Sequence, residues 1–280
     1  MRLIVSLFLV TVTTVLPVRG AGNVLARSEE IYGGWLQMYD LKFDEAHRTF
    51  AQWMQGHPSD SLGPASDAAA YLFSELARLG ALESELFVDD NRFAERKKLL
   101  PDPEVKRHFV QQIDRADQLA DVTLKTSGND ANALFVKSLT CGLRADYAAL
   151  VEKENLTALS FTKQGRPFAD KLLALDPNAF DAYLGAGIEN YLLSLKAAPI
   201  RLFLRMTGSK VDRDKGLEQL RKTALHGYYF EPFAKLLLAV AALRDNNREQ
   251  AREFLAGLHD RFPENKLYSR ELERLKAGGG

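Results

Sequence analysis

Residues 34–58, GWLQMYDLKFDEAHRTFAQWMQGHP, place Gly34, Ala46, Phe50 and Pro58 at successive intervals of 12, 4 and 8. Residues 239–263, AVAALRDNNREQAREFLAGLHDRFP, repeat those intervals with Ala239, Ala251, Leu255 and Pro263. Two helices joined by a short turn account for the spacing. A small residue on the first helix lets the second come close. A small-then-large pair four residues apart lies on one face of the second helix and packs back. Proline then closes the pair, because it cannot continue a helix.

Working outward, the middle of the chain carries weaker copies. Ala116, Ala120, Thr123 and Gly128 keep the second-helix spacing, with small Ser138 ten residues on. Gly165, Ala169, Leu172 and Pro177 repeat it, again with a small residue, Gly187, ten residues on. Gly216, Leu220 and Thr223 give a partial match. The rest of the pattern is equally helical. Tyr71, Leu72, Glu75, Leu76 and Leu79 fit one helix, and Phe109, Ile113, Ala116 and Ala120 another. Asp102-Pro103, Asp176-Pro177 and Glu231-Pro232 mark helix starts. Alternating β-branched runs between tight turns are missing, so the fold class is all-α.

Together these copies resemble the tetratricopeptide repeat family, a helix–turn–helix unit of about 34 residues. Unit starts at Ala46, Ala116, Gly165, Gly216 and Ala251 are 70, 49, 51 and 35 residues apart. The first gap fits two repeats, with a degenerate unit around residues 71–79. The central gaps imply about 15 extra residues per unit by comparison with the family period. These central copies also lack the aromatic residues of the family pattern. The resemblance implies a right-handed α-solenoid with enlarged central repeats over residues 27–270, followed by a tail at 271–280. Its first helices would line a concave groove for a peptide or protein partner. Carrying the inward-facing spacing onto this chain selects Ile31, Trp35 and Met38, then Asn132, Phe135 and Leu139. It next selects Asp181, Leu184, Ile188 and Tyr191, and finally Leu236, Val240 and Leu243. Aromatic and Met stripes at this spacing also serve as core between units.

The amino-terminal residues carry a different signal. Arg2 precedes an apolar run over residues 3–16, and Pro17-Val18-Arg19-Gly20 leads to Ala21. This reads as a secretory signal over residues 1–20, and so as an exported protein of the periplasm or cell envelope. An uncleaved anchor is the rival, but the run is shorter than the roughly 20 residues of a spanning helix. Without Arg2 and Arg19 the chain keeps 35 basic against 37 acidic residues. Over the whole sequence both totals are 37, so no net field draws nucleic acid or an anionic surface.

Catalytic constellations are few. Cys141 is the one thiol, which rules out an internal disulfide, and at an apolar helical position it reads as a small hydrophobe. The five histidines, His47, His57, His108, His226 and His259, form no helical metal pair. Gly185-Ala186-Gly187 lacks the strand and third glycine of a phosphate loop. Asp212-Arg213-Asp214-Lys215-Gly216 lacks the closing glutamate of a calcium loop and reads as an acidic helix start. Asp89 and Asp90 read as a solvated turn, and the basic cluster at 96–98 has interleaved acids nearby. The expectation is an interaction module or scaffold without cofactor, metal or catalytic residues. Residues 196–206, KAAPIRLFLRM, add a basic and apolar helix suited to a peripheral membrane or partner contact. Two alternatives stay open: a carrier of a small or lipidic ligand, and an enzyme with its site between Cys141 and Gly216.

Overall fold

A computed structural model describes residues 24–81, 100–195 and 212–277. The expected leader at 1–20, the turn at Asp89 and Asp90, the cluster at 96–98, the segment 196–206 and residues 278–280 lie outside the described residues. Within them there are eleven α-helices and no strand. These are α1 (Glu29–Tyr39), α2 (Phe43–Gly56), α3 (Leu62–Arg78), α4 (Pro103–Thr126), α5 (Ala131–Asp146), α6 (Asn155–Leu175), α7 (Tyr183–Ser194), α8 (Arg213–His226), α9 (Glu231–Arg244), α10 (Arg248–Arg261) and α11 (Lys266–Ala277).

Short polar side chains start many of them. Asp102 accepts from the N–H groups of Glu104 and Val105, with Pro103 in the first turn. Asp130, Asp212 and Asn247 accept likewise at the starts of α5, α8 and α10. Each satisfies a main-chain donor that the helix itself leaves unpaired. Asp212 is therefore a helix cap. Asp176-Pro177 departs from expectation: α6 ends before it, and α7 begins only at Tyr183, after a 3-10 turn at Phe180–Ala182. The Asp176 carboxylate folds back onto the N–H of Asn178 at 3.0 Å, a local turn that competes with helix.

Helices pack in sequence as five pairs, α1–α2, α3–α4, α5–α6, α7–α8 and α9–α10, with α11 laid on α10. The small residues sit at the closest approaches. A Cβ built on Gly34 would stand 2.3 Å from the Phe50 ring, and one on Gly165 2.7 Å from Cβ of Cys141. Ala46, Ala116, Ala120, Ala239 and Ala251 are fully buried. The 70-residue interval between Ala46 and Ala116 includes residues 82–99, which lie outside the described residues. Within its described part, the helix containing Tyr71 and Leu76 is α3, which packs on α4. One central enlargement is a π-helical turn, Tyr147–Glu152, closed by Lys153 with a left-handed φ of 58°. The other falls at 196–211, outside the described residues. Helix α11 continues to Ala277 and buries Glu271, so the packed helices extend past the expected boundary at residue 270.

The first and last helical pairs of the described residues meet. Asn265 Nδ2 donates to the carbonyl of Tyr39 at 2.9 Å, and Glu264 N donates to Asp40 at 2.9 Å. Tyr39 packs on Phe262, and Phe73 of α3 meets Phe233 of α9 edge-on at 5.4 Å. Trp35, Phe135, Tyr229 and Phe230, from α1, α5 and the entry to α9, form one aromatic core between these pairs.

Candidate functional site

That closure decides where the inward-facing residues lie. Ile31, Trp35, Met38, Phe135, Asp181, Leu184, Tyr191, Leu236 and Val240 are all buried, so they pack between helices in this structure. Trp35 donates from Nε1 to Ser66 Oγ at 3.0 Å inside that core. Asn132, Leu139, Ile188 and Leu243 keep partial exposure. An apolar stripe reveals that a helix face is covered, but not whether a ligand or another part of the chain covers it. Of the partly exposed residues, Asn132 is the one with a polar contact of binding character.

Residues 24–28 run as non-helical chain ahead of α1 and contact two other helix pairs, α5–α6 and α9–α10. Asn132 Oδ1, on the first turn of α5, accepts the N–H of Ala26 at 2.8 Å. Asp176 Oδ2, just after α6, accepts the N–H of Leu25 at 3.4 Å. The Tyr229 hydroxyl accepts the N–H of Ser28 at 3.0 Å and donates to the carbonyl of Ala26 at 3.4 Å. Every one of these contacts reads main chain. The Arg27 guanidinium lies over the Tyr228 ring, 5.2 Å from its centre, a cation–π geometry. Ala26 and Arg27 nevertheless remain exposed.

Beside the segment is a cavity of about 480 Å³, lined by Leu25, Asp176, Phe180, Asp181, His226 and Tyr228 among others. Its rigid wall is Asp181, 3% exposed. This carboxylate accepts the N–H groups of Tyr228, Tyr229 and Phe230 at 2.9–3.2 Å. Burial pushes its pKa up, and the three main-chain bonds oppose that rise. Burial also holds the Tyr229 hydroxyl well above its ordinary pKa, so it stays a neutral donor and acceptor. Asp181 was selected from spacing as a groove residue. Its place is instead to fix the turn that presents Tyr228 and Tyr229. Asp176, Tyr228, Tyr229 and residues 24–28 were not selected. Their one visible signal is the aromatic run Tyr228-Tyr229-Phe230 between Gly227 and Pro232.

A second cavity, about 580 Å³, lies in the central unit, with Asp117, Lys137, Cys141, Arg144, Phe161 and Phe168 on its walls. Its charges answer one another. Lys137 pairs with Asp117 and Asp121 at 3.1 and 3.0 Å, while Arg144 pairs with Asp117 and with Asp114. Burial pulls the Asp117 carboxyl upward, but hydrogen bonds from Arg144 and Thr140 outweigh it and leave the pKa below its ordinary value. Burial raises the Cys141 thiol, so the thiolate form is disfavoured. The arrangement ties α5 to α4. Elsewhere, His47 binds Asp67 across α2 and α3, and Tyr71 lies between the rings of His47 and His108.

Among the described residues no group of His, Cys, Asp and Glu has metal-binding geometry, and no helix is long and apolar enough to cross a membrane. Compared with family models, curated proteins and solved structures, the chain matches none.

Proposed function

We propose that the chain is a protein-interaction module built as a right-handed solenoid of tetratricopeptide-like units, exported to the bacterial envelope, that takes an extended peptide on its inner edge. The sequential pairing of helices and the recurrent 12-4-8 spacing support the repeat reading. The apolar run at residues 3–16 supports export. One observation carries the binding reading: residues 24–28, a non-helical stretch, are held through main-chain atoms. The side chains that hold them come from α5, the end of α6 and the entry to α9. Recognition by backbone gives affinity to any extended chain, and neighbouring pockets then select side chains.

The test is a selection of random peptides displayed on phage against the folded full chain. The expected result is enrichment of peptides whose binding is lost in Asn132→Leu. Failure to enrich any peptide, or enrichment indifferent to Asn132, would overturn the reading.

A further inference from the structure

We infer that residues 24–28 are a displaceable strap, an internal occupant that covers the peptide site until a partner strand replaces it. The inference rests on the peptide-binding reading above and adds how the site is gated and what displaces the strap.

Three features distinguish this segment from a structural linker. Its long-range hydrogen-bond partners are polar side chains, and it is tied to α1 by Ser28, whose side chain accepts the N–H of Ile31. Asn132 and Asp176 keep partial exposure, so water can replace the strap at both. Two of the four hydrogen bonds are long, at 3.4 Å. Most of the strap faces solvent: Val24 is 63% exposed and Ala26 and Arg27 are exposed as well, while Leu25 packs against the core. Finally, the cavity beside Leu25 leaves room next to the strap for a larger side chain.

The same geometry describes the competitor. Its main chain must offer N–H groups to Asp176 and Asn132, so it is extended and carries no proline at the position of Ala26. Its residue at the Leu25 position is apolar and faces Phe180 and Tyr228. Its residue at the Arg27 position is basic. There it stacks on Tyr228, and Asp176 and Asp181 lie on the wall of the same cavity. The partner is therefore an extended segment of another protein with an apolar-any-basic pattern. Because the strap continues directly into α1 at Glu29, it competes at the high effective concentration of a short tether.

Ala26→Pro removes the N–H that Asn132 accepts and should lift the strap without touching a buried side chain. A fluorescent peptide copying residues 24–30, VLARSEE, is titrated by anisotropy into the full chain and into this variant. Removing a short tethered competitor should tighten binding by about tenfold or more. Adding Asn132→Leu to the variant should abolish that binding. Equal affinity for wild type and variant would overturn the strap while leaving peptide binding in place. Absence of binding to both would overturn it too, and the phage selection would then decide the broader reading by itself. Should Ala26→Pro fold poorly, Arg27→Ala repeats the comparison. That change loses only an exposed stack, and the same direction is expected at about two- to fivefold.

Discussion

The Tyr229 hydroxyl accepts the main-chain N–H of Ser28 at 3.0 Å, although 201 residues separate the two. The same tyrosine is fully buried, and its carbonyl accepts the Tyr39 hydroxyl at 3.0 Å. One residue thus joins both ends of α1, the strap and the entry to α9. Tyr229→Phe keeps the ring in the aromatic core and deletes only the hydroxyl. Loss of about 0.5–1.5 kcal/mol is expected, the net worth of an ordinary hydrogen bond. Amide exchange at Ser28 should accelerate while exchange in α5 stays slow. Unchanged exchange at Ser28 would show that the contact does not order the strap.

Asp181 presents Tyr229, so its removal should cost more. Asp181→Ala leaves the N–H groups of Tyr228, Tyr229 and Phe230 without their common acceptor. Main-chain donors at Tyr228, Tyr229 and Phe230, the last two buried, should cost roughly 2–4 kcal/mol in total when stripped of their common acceptor. The measurement is the urea midpoint, together with exchange at these three amides. Protection that persists in all three would mean that another group satisfies them and that Asp181 is dispensable.

Close helix contacts give a third expectation. A Cβ on Gly187 would lie 3.0 Å from the Leu220 side chain and 3.1 Å from its main-chain nitrogen. One on Gly216 would lie 2.6 Å from the Tyr191 nitrogen. Gly187→Leu should therefore overpack the α7–α8 contact and cost about 1–3 kcal/mol or more. Gly216→Ala, set against main chain that cannot swing aside, should also destabilise despite adding a single methyl. Unaltered melting temperatures in both would contradict the packing of this pair.

These glycines also show why the fold was legible in sequence. The contacts that link Gly34 to Phe50 and Gly165 to Cys141 are set by how closely two helices approach, and that distance admits only small residues. Such a constraint leaves a trace in residue type. The strap leaves none, because Asn132, Asp176 and Tyr229 read its main chain, which is the same for every sequence. Periodicity placed Trp35, Phe135 and Leu236 on the inner faces. Their cover is the rest of the chain, brought in by the meeting of Tyr39 with Asn265. No local pattern encodes a contact across 226 residues. Asp176-Pro177 misled for the opposite reason: the dipeptide suits a helix start and a turn equally, and here the Asp176 carboxylate closes a turn on the main-chain N–H of Asn178.

The last expectation concerns pH. Asp146 ends α5 at the entrance to the π-helical turn, and it is partly buried without a hydrogen-bond or ion-pair partner among the described residues. Burial alone lifts its pKa from an ordinary 3.8 to about 7. Between these values the folded chain retains a proton that the unfolded chain has released, so stability falls as pH rises through this window. Below it both states are neutral at this position and nothing is lost; above it the full difference is felt. Three pKa units correspond to about 4 kcal/mol, and the remaining solvent contact of the carboxyl reduces this to about 1–3 kcal/mol. Asp146→Asn removes the titration while keeping the shape. Urea unfolding of both proteins from pH 4.5 to 8 should show near-equal stability at the acid end. The variant should then gain steadily, reaching about 1–3 kcal/mol more stable by pH 8. Two curves that stay parallel across the range would mean that Asp146 is solvated in the folded chain.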